Sequence, residues 1–74
     1  MEHQLDLRGV ACPLNFVRTK LFLDKLQPGE VVSVLLDAGE PVESVSSSVA
    51  ADGHLVETPR PLPGGYFCVS IRKG

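Results

Sequence analysis

Cysteine is scarce in this sequence, with only Cys12 and Cys68. Two thiols close at most one disulfide, which excludes the dense cross-linked framework of small secreted domains. With His3 and His54 they make four nominal zinc ligands. All four lie far apart and match no paired-ligand spacing, so no metal and no other cofactor is expected. A block of like charge is also missing. Seven Lys and Arg are scattered among nine Asp and Glu, for a formal net charge of −2. That excludes a general nucleic-acid binder held by phosphate contacts. No apolar run is long enough to cross a bilayer. No charged segment leads into an apolar stretch at the start, so no secretory signal is expected; the expected setting is the cytoplasm, where thiols stay reduced. Internal repeats and low-complexity tracts are absent. So are a glycine-rich phosphate loop, a carboxylate pair and a Ser-His-Asp arrangement.

What is present is a small apolar-rich chain. Its 74 residues, 43% of them hydrophobic, are expected to form one domain over residues 1–74. A chain of this size buries only about 60% of its unfolded surface. A deep active-site cavity is not expected, and chemistry is expected at the surface.

Residues 4–8 alternate as a short half-buried strand, and Gly9-Val10-Ala11 turns into a helix over 13–26. Gln27-Pro28-Gly29 stops it. Val31 to Leu36 is β-branched and apolar, a strand. Pro41 opens a second helix to about Ala51, with Val42, Val45 and Val49 on one face. His54 to Thr58 reads as a strand, Pro59 to Gly65 as a loop, and Tyr66 to Arg72 as the last strand. The order βαβαββ predicts an α+β fold, a two-layer α/β sandwich with two helices on one face of a four-stranded mixed sheet. In the last strand Phe67, Val69 and Ile71 are expected to meet the helices, and Cys68 to lie on the open face. Gly9, Gly29 and Gly53 read as turn residues.

The chemistry concentrates at Cys12-Pro13. Proline suits the first position of a helix, because its φ is already helical and its missing N–H would be unpaired there. Cys12 then reads as the N-cap, where free N–H groups from Leu14 to Phe16 and the helix dipole favour an anion. A cysteine so placed tends to be a thiolate, hence a nucleophile. The first helix carries a second message. At 100° per residue, Phe16, Thr19, Phe22, Leu23 and Leu26 share one arc. Leu14, Val17 and Leu21 lie opposite, among charges and flanked by Arg18 and Lys20. Either this spare stripe is a docking surface beside Cys12, or the helix is rotated and the stripe is core.

These residues resemble the TusA (SirA-like) family of small sulfur carriers. The matching residues are Leu5-Asp6-Leu7-Arg8-Gly9, Cys12-Pro13, Thr19-Lys20, Gly29-Glu30, Gly53-His54 and Ile71-Arg72-Lys73, and the resemblance covers almost the whole chain. The family pattern is Cys-Pro-X-Pro; here Asn15 stands where the second proline is usual. That restores one N–H in the first helical turn, free to bond a bound sulfur or a nearby carbonyl. The resemblance implies a βαβαββ fold. It also implies a sulfurtransferase role in which Cys12 carries sulfur as a persulfide. The sulfur comes from a donor protein, a cysteine desulfurase or rhodanese, and goes to an acceptor protein. Family uses include tRNA thiolation, molybdenum cofactor synthesis and sulfur oxidation.

Supporting roles are expected of Asp6, Arg8, Pro13 and Asn15. Asp6 would fix the loop through backbone N–H groups, and Arg8 would bring positive charge; both also fit plain outward-facing strand residues. Leu14, Val17, Arg18, Lys20 and Leu21 are expected to meet partner proteins, Lys20 fitting a solvated lysine equally. His54 reads as structural and Cys68 as passive. The chain is expected to act as a monomer, with no membrane and no sequence-specific nucleic-acid contact. The alternative function is a non-catalytic regulatory or protein-binding module that uses the Leu14/Val17/Leu21 surface.

Overall fold

The computed structural model describes residues 2–11 and 14–74. The elements are β1 (Glu2–Asp6), α1 (Leu14–Asp24), β2 (Val31–Asp37), α2 (Glu40–Ala51), β3 (Leu55–Val56), β4 (Arg60–Leu62) and β5 (Tyr66–Arg72). The sheet runs β1-β2-β5, with β3 and β4 both on the outer side of β5. The β1–β2 pair is parallel and every other pair is antiparallel. Two helices therefore cover one face of a mixed sheet four positions wide.

Strand β2 is the middle of the core. Val32, Val34 and Leu36 are fully buried, while the residues between them are half-buried. Opposite them on β5 lie Ile71, Val69 and Phe67, of which the first two are fully buried and Phe67 packs at the margin. Helix α2 contributes Val42, Val45 and Val49, the i, i+3, i+7 stripe expected of an amphipathic helix. Helix α1 contributes Leu23, with Leu26 just beyond its end. The regular part of α1 stops at Asp24 rather than Leu26. There the N–H groups of Lys25 and Leu26 reach back three residues, to Phe22 and Leu23, tightening the last turn.

One expected loop is partly a strand. Arg60, Pro61 and Leu62 pair with Cys68, Phe67 and Tyr66. Proline is tolerated at a sheet edge, where alternate N–H groups point away from the ladder. Between Val56, opposite Ile71, and Arg60, opposite Cys68, three edge residues face two on β5. The outer edge is thus one line interrupted by a bulge at Glu57–Pro59, where the Glu57 N–H still donates to the Ser70 carbonyl at 2.9 Å. The bulge also ends β3 at Val56 instead of Thr58.

Cys68 lies on the face away from the helices and is only 7% exposed. Its neighbours across the sheet are Leu35 and Arg60, so an interior strand position buries it even without a covering layer. Among the described residues no helix is long and apolar enough to cross a membrane.

Candidate functional site

The chain leaves β1 through a tight turn. The Leu7 N–H donates to the Leu35 carbonyl at 2.9 Å and prolongs the ladder by one residue. The Val10 N–H then closes a turn onto the Leu7 carbonyl at 3.1 Å. Gly9, third in that turn, has φ 78°, which glycine adopts without steric cost. This turn is why β1 ends at Asp6 and not at Arg8.

Four side chains hold it. The Asp6 carboxylate accepts the Arg8 backbone N–H at 3.1 Å and two guanidinium N–H groups at 3.0 and 2.8 Å. This forked contact holds the Asp6 pKa down at about 2, against an ordinary 3.8. The Arg8 guanidinium lies 5.1 Å from the Tyr66 ring centre. Asp37, at the end of β2, accepts the Gly9 N–H at 3.0 Å. Asp6 thus accepts one backbone N–H of the loop, whereas the charge of Arg8 is directed at Asp6 and Tyr66. Asp37 and Tyr66 went unnoticed in the sequence. They are neighbours only through the β2–β5 register, where Asp37 sits opposite Tyr66, and no local signal reveals a register. A shallow hollow opens here, lined by Asp6, Arg8, Gly9, Val10, Arg18, Asp37 and Tyr66.

Cys12 and Pro13 lie outside the described residues. Their neighbours Ala11 and Leu14 are both exposed, and the Asn15 N–H donates to the Ala11 carbonyl at 3.1 Å. That bond corrects the reading of the helix start. Of the N–H groups at Leu14, Asn15 and Phe16 expected to face an anion, that of Asn15 goes to Ala11, and that of Phe16 goes to the Asn15 side-chain oxygen at 2.7 Å.

Asn15 itself is fully buried. It shares the inner arc of α1 with Thr19 and Leu23, the Thr19 hydroxyl donating to the Asn15 carbonyl at 2.9 Å. Its Oδ1 faces a donor, which fixes the amide orientation. Its Nδ2 is buried with no hydrogen-bond partner, a state that costs about 1–3 kcal/mol. On the opposite arc Leu14, Val17 and Leu21 are 48%, 43% and 58% exposed. The spare stripe is thus surface and not core. Arg18 and Lys20 beside it are exposed as well.

The remaining motif residues secure the far end of the molecule. Glu30 accepts the Gln27 N–H at 2.6 Å and meets His3 at 3.3 Å, contacts that lower its pKa. Lys73 pairs with Glu30 and Gly29 through the backbone, and its Nζ donates at 2.6 Å to the Leu23 carbonyl, which thereby accepts a second bond beside that from the Leu26 N–H. His54 is structural as expected: its N–H reaches the Val49 carbonyl behind α2, and its Nδ1 accepts the Gly74 N–H at 3.1 Å.

Known proteins place this arrangement. A crystal structure of a SirA-like protein from Desulfitobacterium hafniense superposes with a TM-score of 0.86 at 28% identity, covering 100% of this chain and 99% of that one. An Archaeoglobus fulgidus protein named "Putative sulfur carrier protein" is 42% identical over 69 residues, 93% of this chain and 78% of its own length. A Thermotoga maritima protein of the same name is 38% identical over 52 residues, 70% of this chain and 66% of its own length. The family model described as sulfurtransferase TusA matches residues 3–73. With that match spanning nearly its full length, the chain belongs to the TusA family.

Proposed function

We propose that this protein is a sulfur carrier that takes sulfur as a persulfide on Cys12 and hands it to an acceptor protein. The Cys12 thiolate attacks the outer sulfur of a donor persulfide. A bond forms between Cys12 Sγ and that sulfur, the donor S–S bond breaks, and the donor cysteine leaves as a thiolate. In the second transfer an acceptor thiolate attacks the same outer sulfur and Cys12 leaves as the thiolate. Each step exchanges one S–S bond for another, so no external oxidant or reductant is consumed.

The observation that carries this reading is the setting of the motif. A locked turn, exposed neighbours on both sides and an exposed apolar stripe one helical turn away suit a sulfur presented to large partners. A small-molecule enzyme would need an enclosing cavity. Arg8 is neutralised by Asp6, which leaves Arg18 as the cation lining the adjacent hollow. The donor is a cysteine desulfurase or rhodanese; the acceptor serves tRNA thiolation, molybdenum cofactor synthesis or sulfur oxidation. The protein works as a monomer in the cytoplasm.

Incubation with a cysteine desulfurase and cysteine, followed by intact-mass measurement, tests the reading. The expected result is a gain of one sulfur atom, removed by reductant and absent in Cys12→Ala. No gain with desulfurase or rhodanese donors overturns it. The exposed stripe also fits a binding module that needs no thiol. That alternative requires Cys12→Ser to retain full activity in cells while Leu21→Glu loses it.

A further inference from the structure

Strand β1 stands at the margin of the sheet, with β2 as its one neighbour among the described residues. The Leu7 N–H turns inward to the Leu35 carbonyl, and the parallel register sets Gln4 beside Ser33 and Asp6 beside Leu35. Alternation along the strand then turns the N–H and C=O groups of Gln4 and Asp6 outward, where no described residue meets them. The strand has no lysine, proline or bulge, the usual guards of a free edge. A wall stands over this edge. Arg18, Phe22 and Lys25 follow at i, i+4 and i+7, on one stripe of α1 and the turn that ends it. Two contacts direct that stripe towards β1. The Phe22 ring meets the His3 ring edge-on with centres 5.8 Å apart, and Arg18 lines a hollow together with Asp6. Arg18 and Lys25 are exposed, and no described residue pairs with either. The carboxylates nearest the edge are engaged, Asp6 by Arg8 and Glu30 by Gln27 and His3.

We propose that the outer edge of β1 and the Arg18–Phe22–Lys25 wall of α1 form a ledge that takes an extended acidic segment of a partner protein as an added strand. This goes beyond the carrier reading, since it uses backbone groups and two cations and needs no thiol. The free groups of Gln4 and Asp6 hold a segment of any sequence, and the wall selects among segments. Arg18 and Lys25 lie about 10.5 Å apart along the helix. Two acidic residues four apart on a strand span about 13 Å, and the residue midway between them lies on the same side. A pattern of acid, apolar and acid at alternate positions therefore reaches both cations and rests on Phe22. It is five residues long, as β1 is. A second copy of β1 does not supply this pattern. Paired edge to edge about a two-fold axis, it keeps His3 and Leu5 on the helix side and brings the cations of the two walls towards each other.

The test is residue-resolved amide exchange by NMR on the full isotope-labelled chain, with the capped peptide Ser-Glu-Thr-Val-Thr-Glu-Ser as probe. No sulfur donor enters, so the outcome is independent of the carrier reading. At saturating peptide, exchange at Gln4 and Asp6 is expected to slow by about tenfold or more, while Leu5 and Leu7, already turned towards β2, keep their rates. Gln4→Pro removes one outward N–H and leaves the β2 ladder intact; it is expected to abolish the protection. The double variant Arg18→Glu/Lys25→Glu is expected to weaken binding by about tenfold, and a peptide with lysine in place of glutamate is expected not to bind. Equal binding of the lysine peptide overturns the proposal. So do peptide-induced shifts confined to Leu14, Val17 and Leu21, or unchanged exchange at about 1 mM peptide. Protection of Gln4 and Asp6 that grows with protein concentration in the absence of peptide assigns the edge to a second copy and overturns it equally. Circular dichroism verifies that each variant is folded; should Gln4→Pro fail, the double charge variant decides.

Discussion

At the scale of single residues, charge decides more at this site than its exposed position suggests. The Asp6 carboxylate and the Arg8 guanidinium are about half exposed, and an exposed ion pair usually contributes little. Here the carboxylate also accepts a backbone N–H, so one side chain fixes both the turn and the arginine. The linkage has a definite sign. The folded pKa of about 2 lies below the ordinary 3.8. The contribution of Asp6 to stability is therefore complete above about pH 4 and disappears as the pH falls towards 2. Wild type should be more stable than Asp6→Asn near neutral pH, and the two should converge in acid. Urea denaturation at both extremes measures this, and an Asp6 carboxyl NMR titration should give the same low midpoint. The sequence suggested this role for Asp6, because an aspartate two residues before a turn is a familiar local pattern. It gave no hint of Tyr66 or Asp37, whose partners lie across the sheet. Nor did it show that Asn15 turns its side chain inward, since an asparagine on a helix is read as polar surface by default.

Among the elements, α1 carries two apolar stripes for two purposes. The inner one, with Leu23 and Leu26, is needed for folding. The outer one, Leu14, Val17 and Leu21, touches no core. Leu21→Glu should change stability by less than about 0.5 kcal/mol, as is usual for surface positions, while slowing sulfur transfer between proteins. Stopped transfer assays beside thermal melts separate the two effects, and a matching loss in both would mean that the stripe is structural after all. The two-stripe pattern was readable because a helix needs only one face for burial. The edge strand β4 was not readable. Its prolines and the glycines after it are the ordinary marks of a loop, and only the antiparallel partner β5 makes Arg60–Leu62 extended. Element ends shifted by one or two residues for equally local reasons, such as the tightened last turn of α1.

Over the whole molecule, the two-layer order and the buried face of β5 followed from alternation and helical spacing alone. The state of the reverse face did not, because that depends on how far a residue sits from a sheet edge. Cys68 shows the difference. Its position in an interior strand should make it slow towards iodoacetamide in the native protein, with labelling set by opening of the fold rather than by thiol chemistry. Mass-mapped labelling at rising urea checks this: modification of Cys68 should accelerate together with unfolding. Fast native labelling would show that the reverse face breathes.

The bulge and prolines on the β3/β4 edge have a consequence for how copies of this protein meet when crowded. Among the described residues nothing pairs with the outer side of β1, so that margin is free to receive a strand. The opposite margin is interrupted after Val56 and punctuated by Pro59 and Pro61. Growth of a fibre by strand addition needs two receptive margins on every unit, one to bind and one to be bound. A sheet with a single receptive margin can pair once and then has nothing left to extend, so the same prolines that hid β4 in the sequence make the fold a chain terminator for its own aggregation.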